Sequence, residues 1–544
     1  MKIKILQKTF ILISIIFSIY AGNSNAQFVW QQAYLNSNNI CCYMRNSGVF
    51  NQITNFSSPG LYWPCGSYNS YLYTMGLSAA CMIDNHLGMF ACSYNGELCP
   101  GYVKNLSGTT NTDFKLYSVK VNDNVNTNPD YANWYKMVPY GAPYSDLNKN
   151  GMFDIGIDKP GIPDAAQTIF ICLTDAFAYS RTSGEGFGGG IKNPLLNAEI
   201  HLTTWVYTLP QLYDVQFIKY EIINKGNKSW DKLRFGLFDD PDINFGQNNY
   251  IGCDTTKNLG YAYEVDSVVY GAYGINVLRG VINKINGDTM NFSSFIPQIK
   301  YYPCEGVPGN SNEAYHSMQG LKLDGSSFYD PTNDPPNPTK FVFSGDPETR
   351  TGWVPSKGYL SGCNGYDTSV ILAPQDAKFI LGLGDDNFSM APGDTQRIYF
   401  SQMVALGNSN ENSVTNLKSL ADRVKIIFDA AIYDVVNNSF STVAGLSLPG
   451  DFYLSQNFPN PFNITTKISY GIPRVSDVKL NVFDVTGRLV AELLNGEQQP
   501  GRFDLEWNAT GFSSGIYFFR MEVVDKTSNL AKRYSNVKKM VLVK

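Results

Sequence analysis

Val478-Lys479-Leu480-Asn481-Val482, followed by Asp484-Val485-Thr486-Gly487-Arg488 and then Leu489 to Leu494, is the stretch that decides the fold class of this chain. Apolar and polar residues alternate through its first five positions, the period of a strand with one buried face. Asp484 to Arg488 has turn chemistry, with Gly487 free to take positive φ. The pattern extends both ways. Upstream, Ile468 and Tyr470 alternate with polar neighbours; downstream, Gly501 reopens the chain and Phe503, Leu505 and Trp507 alternate again. Ser513-Ser514-Gly515 reads as a turn, Ile516 to Met521 as a strand, and Met540 to Val543 as the last strand. Pro459, Pro461 and Pro473 lack backbone donors and stiffen the approach, which suits the start of an edge strand. Six or seven short strands at this spacing make a small antiparallel, immunoglobulin-like β-sandwich over residues 451–544.

Several residues of this tail carry a family likeness: Gln456-Asn457-Phe458-Pro459-Asn460-Pro461-Phe462-Asn463, Ile472-Pro473, Asp484 with Gly487-Arg488-Leu489-Val490, Gly501, Trp507, Ser514-Gly515-Ile516-Tyr517, and Lys538-Lys539-Met540-Val541-Leu542 with Lys544. Spaced in this order, they resemble the type A sorting domain of the Bacteroidetes type IX secretion system, over residues 449–544. The resemblance implies recognition by an outer-membrane translocon after Sec export, then removal of the tail with surface attachment or release. Ile464 stands where the family often has proline, a departure expected to alter only the stiffness of the lead-in. Lys538, Lys539 and Lys544 are expected to be exposed, as unpaired lysines almost always are; they either touch a receptor or guard an edge strand.

The other end of the chain also reads as an address. Lys2, Lys4 and Lys8 precede an apolar run from Thr9 to Ala21, and Ser24 and Ala26 supply the small residues that a signal peptidase needs. The run is too short for a stable bilayer span, so residues 1–26 read as a signal peptide cleaved before Gln27. Net charge is −5, becoming more acidic once the three lysines are removed, and only 16% of residues are charged, against 35 Tyr and 33 Phe. A mildly acidic chain without basic runs is a poor partner for nucleic acid or anionic lipid. The expected localisation is therefore secreted or outer cell surface, after periplasmic transit.

Residues 27–436 form a β-rich body of one or two sandwiches, joined to the tail by a linker at 437–450. Phe114 to Val121, Thr168 to Leu173, Ile200 to Tyr207, Val215 to Ile223, Leu233 to Phe238, Phe341 to Phe343 and Arg397 to Val404 read as strands, several apolar on both faces. One late helix breaks the pattern, with Val414, Leu417, Leu420, Ala421, Val424, Ile427 and Phe428 at helical spacing behind a cap at Asn412 or Ser413. Residues 306–340 read as a long surface loop. The fold class is thus all-β. Asp130-Tyr131-Ala132-Asn133-Trp134, Gly141-Ala142-Pro143-Tyr144-Ser145-Asp146, Asp239-Asp240-Pro241-Asp242, Ser344-Gly345-Asp346-Pro347 and Ala391-Pro392-Gly393-Asp394 are similar to stretches of large type IX cargo proteins, a likeness that implies no activity. The 10 cysteines, in an exported chain, predict disulfides, with Cys41 and Cys42 bridging to different partners.

Two acidic groups are candidates for chemistry. In Asp146-Leu147-Asn148-Lys149-Asn150-Gly151-Met152-Phe153-Asp154-Ile155-Gly156-Ile157-Asp158, oxygen side chains at positions 1, 3 and 5, glycine at 6 and aspartate at 9 match the front half of a calcium loop. Asp146, Asn148, Asn150, the Met152 carbonyl, Asp154 and Asp158 are the expected ligands of a structural calcium ion, Asp158 standing in for the missing glutamate. An ion-free Asx-rich turn is the other reading. Asp239, Asp240, Asp242 and Asp254 form the second group, read as another calcium site, a glycosidase-type pair or a solvated acidic loop. No Gly-x-Ser-x-Gly or His-Glu-x-x-His is present. His201, between Ile200 and Leu202, is expected on a solvated face. Gly184 to Gly190 lacks the Lys-Ser/Thr of a phosphate loop and reads as surface. A structural, adhesive or binding role follows, with a surface glycan or protein as ligand. The alternative is an extracellular hydrolase of polysaccharide or protein, which a cleft of convergent carboxylates or a Cys–His pair in contact would favour.

Overall fold

Strands whose residues are apolar on both faces need cover on both faces, and the body supplies it in layers. The computed structural model describes residues 31–544 apart from 54–58, 178–186, 188–193, 267–269, 285, 300–301, 435–438, 441–451, 474–475, 499–500 and 526–532. Two nine-stranded antiparallel sheets form the body. The first is built around Ser70–Ile83, Asp231–Pro241 and Lys378–Leu383. The second runs Gln167–Thr174, Ala198–Val206, Val215–Asn224, Thr395–Ala405, Ala272–Arg279, Leu259–Glu264 and Asn249–Asp254 in spatial order, with Tyr117–Lys120 at one edge. Their facing side chains make one core: Leu77, Phe235, Leu237 and Leu381 from the first sheet against Ile171, Ile200, Leu202, Ile218, Ile222 and Phe400 from the second.

The outer face of the second sheet is covered in two places. Helix Asn410–Ile427 lays Leu417, Leu420 and Val424 on Trp205, Phe217, Tyr399 and Met403. Its cap is Ser409, whose side chain accepts from Asn412 N–H, so the helix begins earlier than the apolar spacing alone indicated. At the other end of the face, Trp134, Met137 and Ala142 pack on Tyr117, Phe170 and Cys172. Two shorter helices, Pro129–Asn133 and Ser311–Met318, join the late one.

Three expectations need correction. Residues 306–340 are not a surface loop: Ser311–Met318 packs Ala314 and Met318 into the main core, and Lys322 is fully buried against Glu305 at 2.7 Å. A buried ammonium demands such partners, and the Gly362 and Gly365 carbonyls complete its shell. Phe341 to Phe343 makes only an isolated bridge, at Phe341, because Phe343 takes φ +56°. Cys42 bridges nothing; Cys41–Cys65 and Cys304–Cys363 are the disulfides, and Cys42, Cys81, Cys92, Cys99, Cys172 and Cys253 are buried thiols. Of the linker, only Ser439–Phe440 is described, paired with Tyr433–Asp434; of Gly184 to Gly190, only Phe187, buried in the main core.

Among the described residues, the tail has seven strands in two sheets. Tyr453–Leu454, Thr465–Ile472 and Gly501–Asn508 make one; Leu489–Gln498, Ser476–Asp484, Gly515–Asp525 and Arg533–Leu542 make the other. Ile468, Tyr470 and Trp507 pack against Val478, Leu480, Val482, Phe519 and Met540 in a core of their own. The last strand starts seven residues before the alternation suggested, its ladder with Gly515–Asp525 running from Arg533 to Leu542. Ile464 takes φ +65°, a conformation closed to a proline ring.

The cysteine assignment is checked by thiol counting. Native protein should leave the six buried thiols unmodified. Denaturant without reductant should expose six, and added reductant should expose all 10.

Candidate functional sites

The 146–158 loop is closed at its mouth by a two-residue ladder, Tyr144–Ser145 against Lys159–Pro160. That ladder brings Asp146 and Asp158 to the same end. Asp146 accepts from the N–H groups of Asn150 at 3.2 Å and Gly151 at 2.7 Å, and Gly151 makes the sharp turn at φ +80°. The carboxamides of Asn148 and Asn150 both donate to Asp154 Oδ2, at 2.7 and 2.6 Å. Asp158 is buried and accepts from Leu147 N–H at 2.8 Å and Asp154 N–H at 2.7 Å. Met152 N–H donates to Asn150 Oδ1. Asp146, Asn148, Asn150 and Asp154 are thus gathered on one exposed turn, with Asp158 anchoring its base. Turning either carboxamide over aims its oxygen where its nitrogen now lies. The donor set is all hard oxygen, which suits calcium.

His201 is not solvated. Cys172, His201, Glu221 and Arg397 lie directly opposite one another across four successive strands. The sheet has no wet face at this point: the turn ending at Gly141 lies on the imidazole, and a Cβ there would stand 2.3 Å from His201 Nδ1. His201 sits 3.2 Å from Glu199 and 3.4 Å from Glu221. Glu221 also pairs with Lys219 at 3.0 Å and Arg397 at 2.6 Å, and Glu199 with Lys225 at 3.5 Å. Burial opposes charge on Glu199, His201 and Glu221, but hydrogen bonds and opposite charges outweigh it there, whereas burial prevails at Lys219 and lowers its pKa. Those bonds and charges hold Glu221 and Glu199 below the usual carboxylate range and His201 above the usual imidazole one.

One ligand atom from each of Cys172, Glu199 and His201 falls within 4.8 Å of the others, a donor set of zinc type. The charges argue against an ion there, because each carboxylate already has its cations. The Cys172 thiol donates to the Gly101 carbonyl at 3.2 Å, and burial raises its pKa well above the ordinary value. A nucleophilic cysteine needs the opposite shift. The Cys–His contact therefore forms part of a buried ionic row that holds strands together. Alternation missed it; the polar Glu199, His201, Lys219 and Glu221, projecting from one face of adjacent strands, were its signal.

The second acidic group divides. Asp254 leaves it to pair with Lys418 at 3.4 Å. Asp239 points into the core, where Tyr273 donates to it at 2.7 Å. Asp240 and Asp242 instead converge with Asp376, which sequence reasoning did not single out and which stands just before the neighbouring strand Lys378–Leu383. Burial, first of all, raises Asp240 to about 8 and Asp242 to about 6.

In the tail, the two ends of the motif set meet. Gln456 and Asn460 carboxamides donate to the Lys539 carbonyl at 2.7 and 3.3 Å, and Asn460 Oδ1 accepts from Val541 N–H at 2.9 Å. Phe462 N–H donates to the Val541 carbonyl and Val543 N–H to the Phe462 carbonyl. Phe462 is buried on Trp507, whereas Phe458 is 81% exposed. Lys539 and Lys544 are exposed and Lys538 half-buried.

Residues 456–534 match the family described as the secretion system C-terminal sorting domain. The chain is accordingly type IX secretion cargo, exported to the cell surface or secreted. No curated protein matches the chain. Among solved structures, a polysaccharide lyase aligns at 9% identity and TM-score 0.17, over 63% of this chain and 34% of its own. The adhesin domain of Epf from Streptococcus pyogenes aligns at 8% identity and TM-score 0.14, over 62% of this chain and 87% of its own. The chain spans about a third of the lyase's length. Scores this low assign neither a fold nor an activity.

Glu221→Gln should lower stability by about 3–5 kcal/mol, since Lys219 and Arg397 lose a buried partner. His201, raised when folded, contributes fully below its ordinary value and loses that contribution as pH rises through its folded value. Glu221, depressed when folded, contributes above the ordinary carboxylate range and fails only in acid. The gap between native protein and variant in denaturant melts should therefore be widest near about pH 5–6 and narrow above it. A pH-independent gap would show that His201 carries no charge in the row.

Proposed function

We propose that the body is an exported structural or binding module of the cell surface, stiffened by calcium in the 146–158 loop. One observation carries this reading: the body's Cys–His contact is buried, charge-matched and covered by a turn, so it serves the scaffold and offers no nucleophile. A surface glycan or protein is the ligand class that suits it. Tyr68 is 93% exposed three residues beyond the Cys41–Cys65 disulfide, and Tyr213, whose carbonyl takes Asn39 N–H, is exposed as well. Rigid aromatic rings of this kind lose little entropy on binding.

In this reading, residues 1–26 direct Sec export and signal peptidase cleaves before Gln27. The outer-membrane translocon then recognises the tail, with Phe458 as one of its contacts. Phe458 contributes nothing to the tail's core, whereas Phe462 does.

Removing residues 449–544 should strand the chain in the periplasm. Phe458→Ala should reduce export while leaving the melting temperature unchanged, and Phe462→Ala should lower both; normal export of the truncated chain would overturn the reading. For the loop, Asp146→Asn combined with Asp154→Asn should diminish the rise in melting temperature that calcium gives over chelator. An identical rise in protein and variant would remove calcium from the loop.

A further inference from the structure

Asp240 is the penultimate residue of the strand Asp231–Pro241, Asp242 follows that strand, and Asp376 precedes the strand Lys378–Leu383. One oxygen from each carboxylate lies within 4.8 Å of the others. Two oxygens bound to one calcium ion at about 2.4 Å stand at most about 4.8 Å apart, so the three can share an ion with little movement.

The hydrogen bonding leaves this cluster incomplete. Asp240 is 4% exposed; its Oδ2 accepts from Tyr94 at 2.7 Å, but its Oδ1 has no hydrogen bond, and the nearest cation, Lys378 Nζ, stands 3.8 Å away. Asp376 accepts from Lys378 at 3.4 Å through Oδ2, and its buried Oδ1 is likewise unmatched. A third unmatched oxygen lies beside them. Asn249 is 1% exposed and bonded through its backbone to Gln375; its amide nitrogen rests on the Pro241 carbonyl at 3.3 Å, and its Oδ1 has no donor. Three carboxylates thus face one ammonium among the described residues. The ionic row around His201 is the contrast, since there the cations match the acids. A buried carboxylate without a matching cation either takes up a proton or binds a metal.

We propose that Asp240, Asp242 and Asp376 hold a calcium ion at the junction of these strands, with Asn249 Oδ1 as a further donor. The site is independent of the 146–158 loop and stands or falls without it. The ion would tie together three segments that are distant in sequence: the end of 231–241, the start of 249–254 and residues 375–378.

Terbium is the probe, because Tyr94 beside Asp240 would sensitise its emission. The mature chain, stripped by chelator, should give tyrosine-excited terbium emission that calcium displaces. Asp376→Asn, at a half-buried position, should weaken binding about tenfold or more while leaving the fold intact by circular dichroism. Tyr94→Phe should dim the emission yet keep calcium affinity by calorimetry. Asp146→Asn with Asp154→Asn should leave the Tyr94-dependent signal in place. In chelator, Asp376→Asn should melt higher than the native protein, because repulsion is relieved. Emission unchanged in Asp376→Asn, emission lost only with the loop variant, or a lower melting temperature for Asp376→Asn in chelator would each overturn the proposal.

Discussion

Leu77, Phe235 and Leu381 meet Ile171, Ile200, Ile218 and Phe400 where the two large sheets press together. Each such side chain contributes roughly 1.5–3 kcal/mol on full burial, and no other contact in the body is as extensive. The constraint it sets is geometric. Each sheet has one inner face, and that face is fully used. Whatever apolar surface remains outside must find cover elsewhere. Helix Asn410–Ile427 covers one part of the second sheet, the Trp134–Ala142 turn another, and Ser311–Met318 part of the first. Between the helix and the turn, Glu199, His201, Lys219 and Glu221 are largely buried and neutralise one another across the strands, with Arg397 and Lys225 reaching in from the partly exposed margin.

Much of this was legible in the sequence. The tail's alternation located its strands because each has one dry and one wetter face, and the late helix announced itself by Leu417, Leu420 and Val424. The alternating oxygen side chains of 146–154 placed Asp146, Asn148, Asn150 and Asp154 on a shared turn, a placement common to both readings of that segment. His201 was misread for a definite reason: alternation predicts which side of a strand a residue faces, and cannot say that a distant segment lies on that side. Gly141 supplies that cover from sixty residues upstream. Asp376 was invisible for the same reason, since only the ladder between Asp231–Pro241 and Lys378–Leu383 brings it to Asp240. Cysteine pairing failed because adjacency of Cys41 and Cys42 suggests two bridges, while strand pleating sends their side chains to opposite faces, one toward Cys65 and the other into the core.

The tail and the body divide the labour. The tail has its own apolar centre and a family likeness confined to its own residues, so it accounts for destination. The body carries buried ionic contacts that tie its strands together and an oxygen-rich turn at its surface.

The lead-in strap of the tail, Gln456 to Phe462, holds on to Lys539, Val541 and Val543, residues made some eighty positions later. The clasp therefore cannot shut until residues 539–543 have been made. Without the strand Arg533–Leu542 the strap would have nothing to fasten to, and Gly515–Asp525 would keep a bare sheet edge. Closure thus couples the two ends of the tail, so that the strap is set only where that strand is already in place.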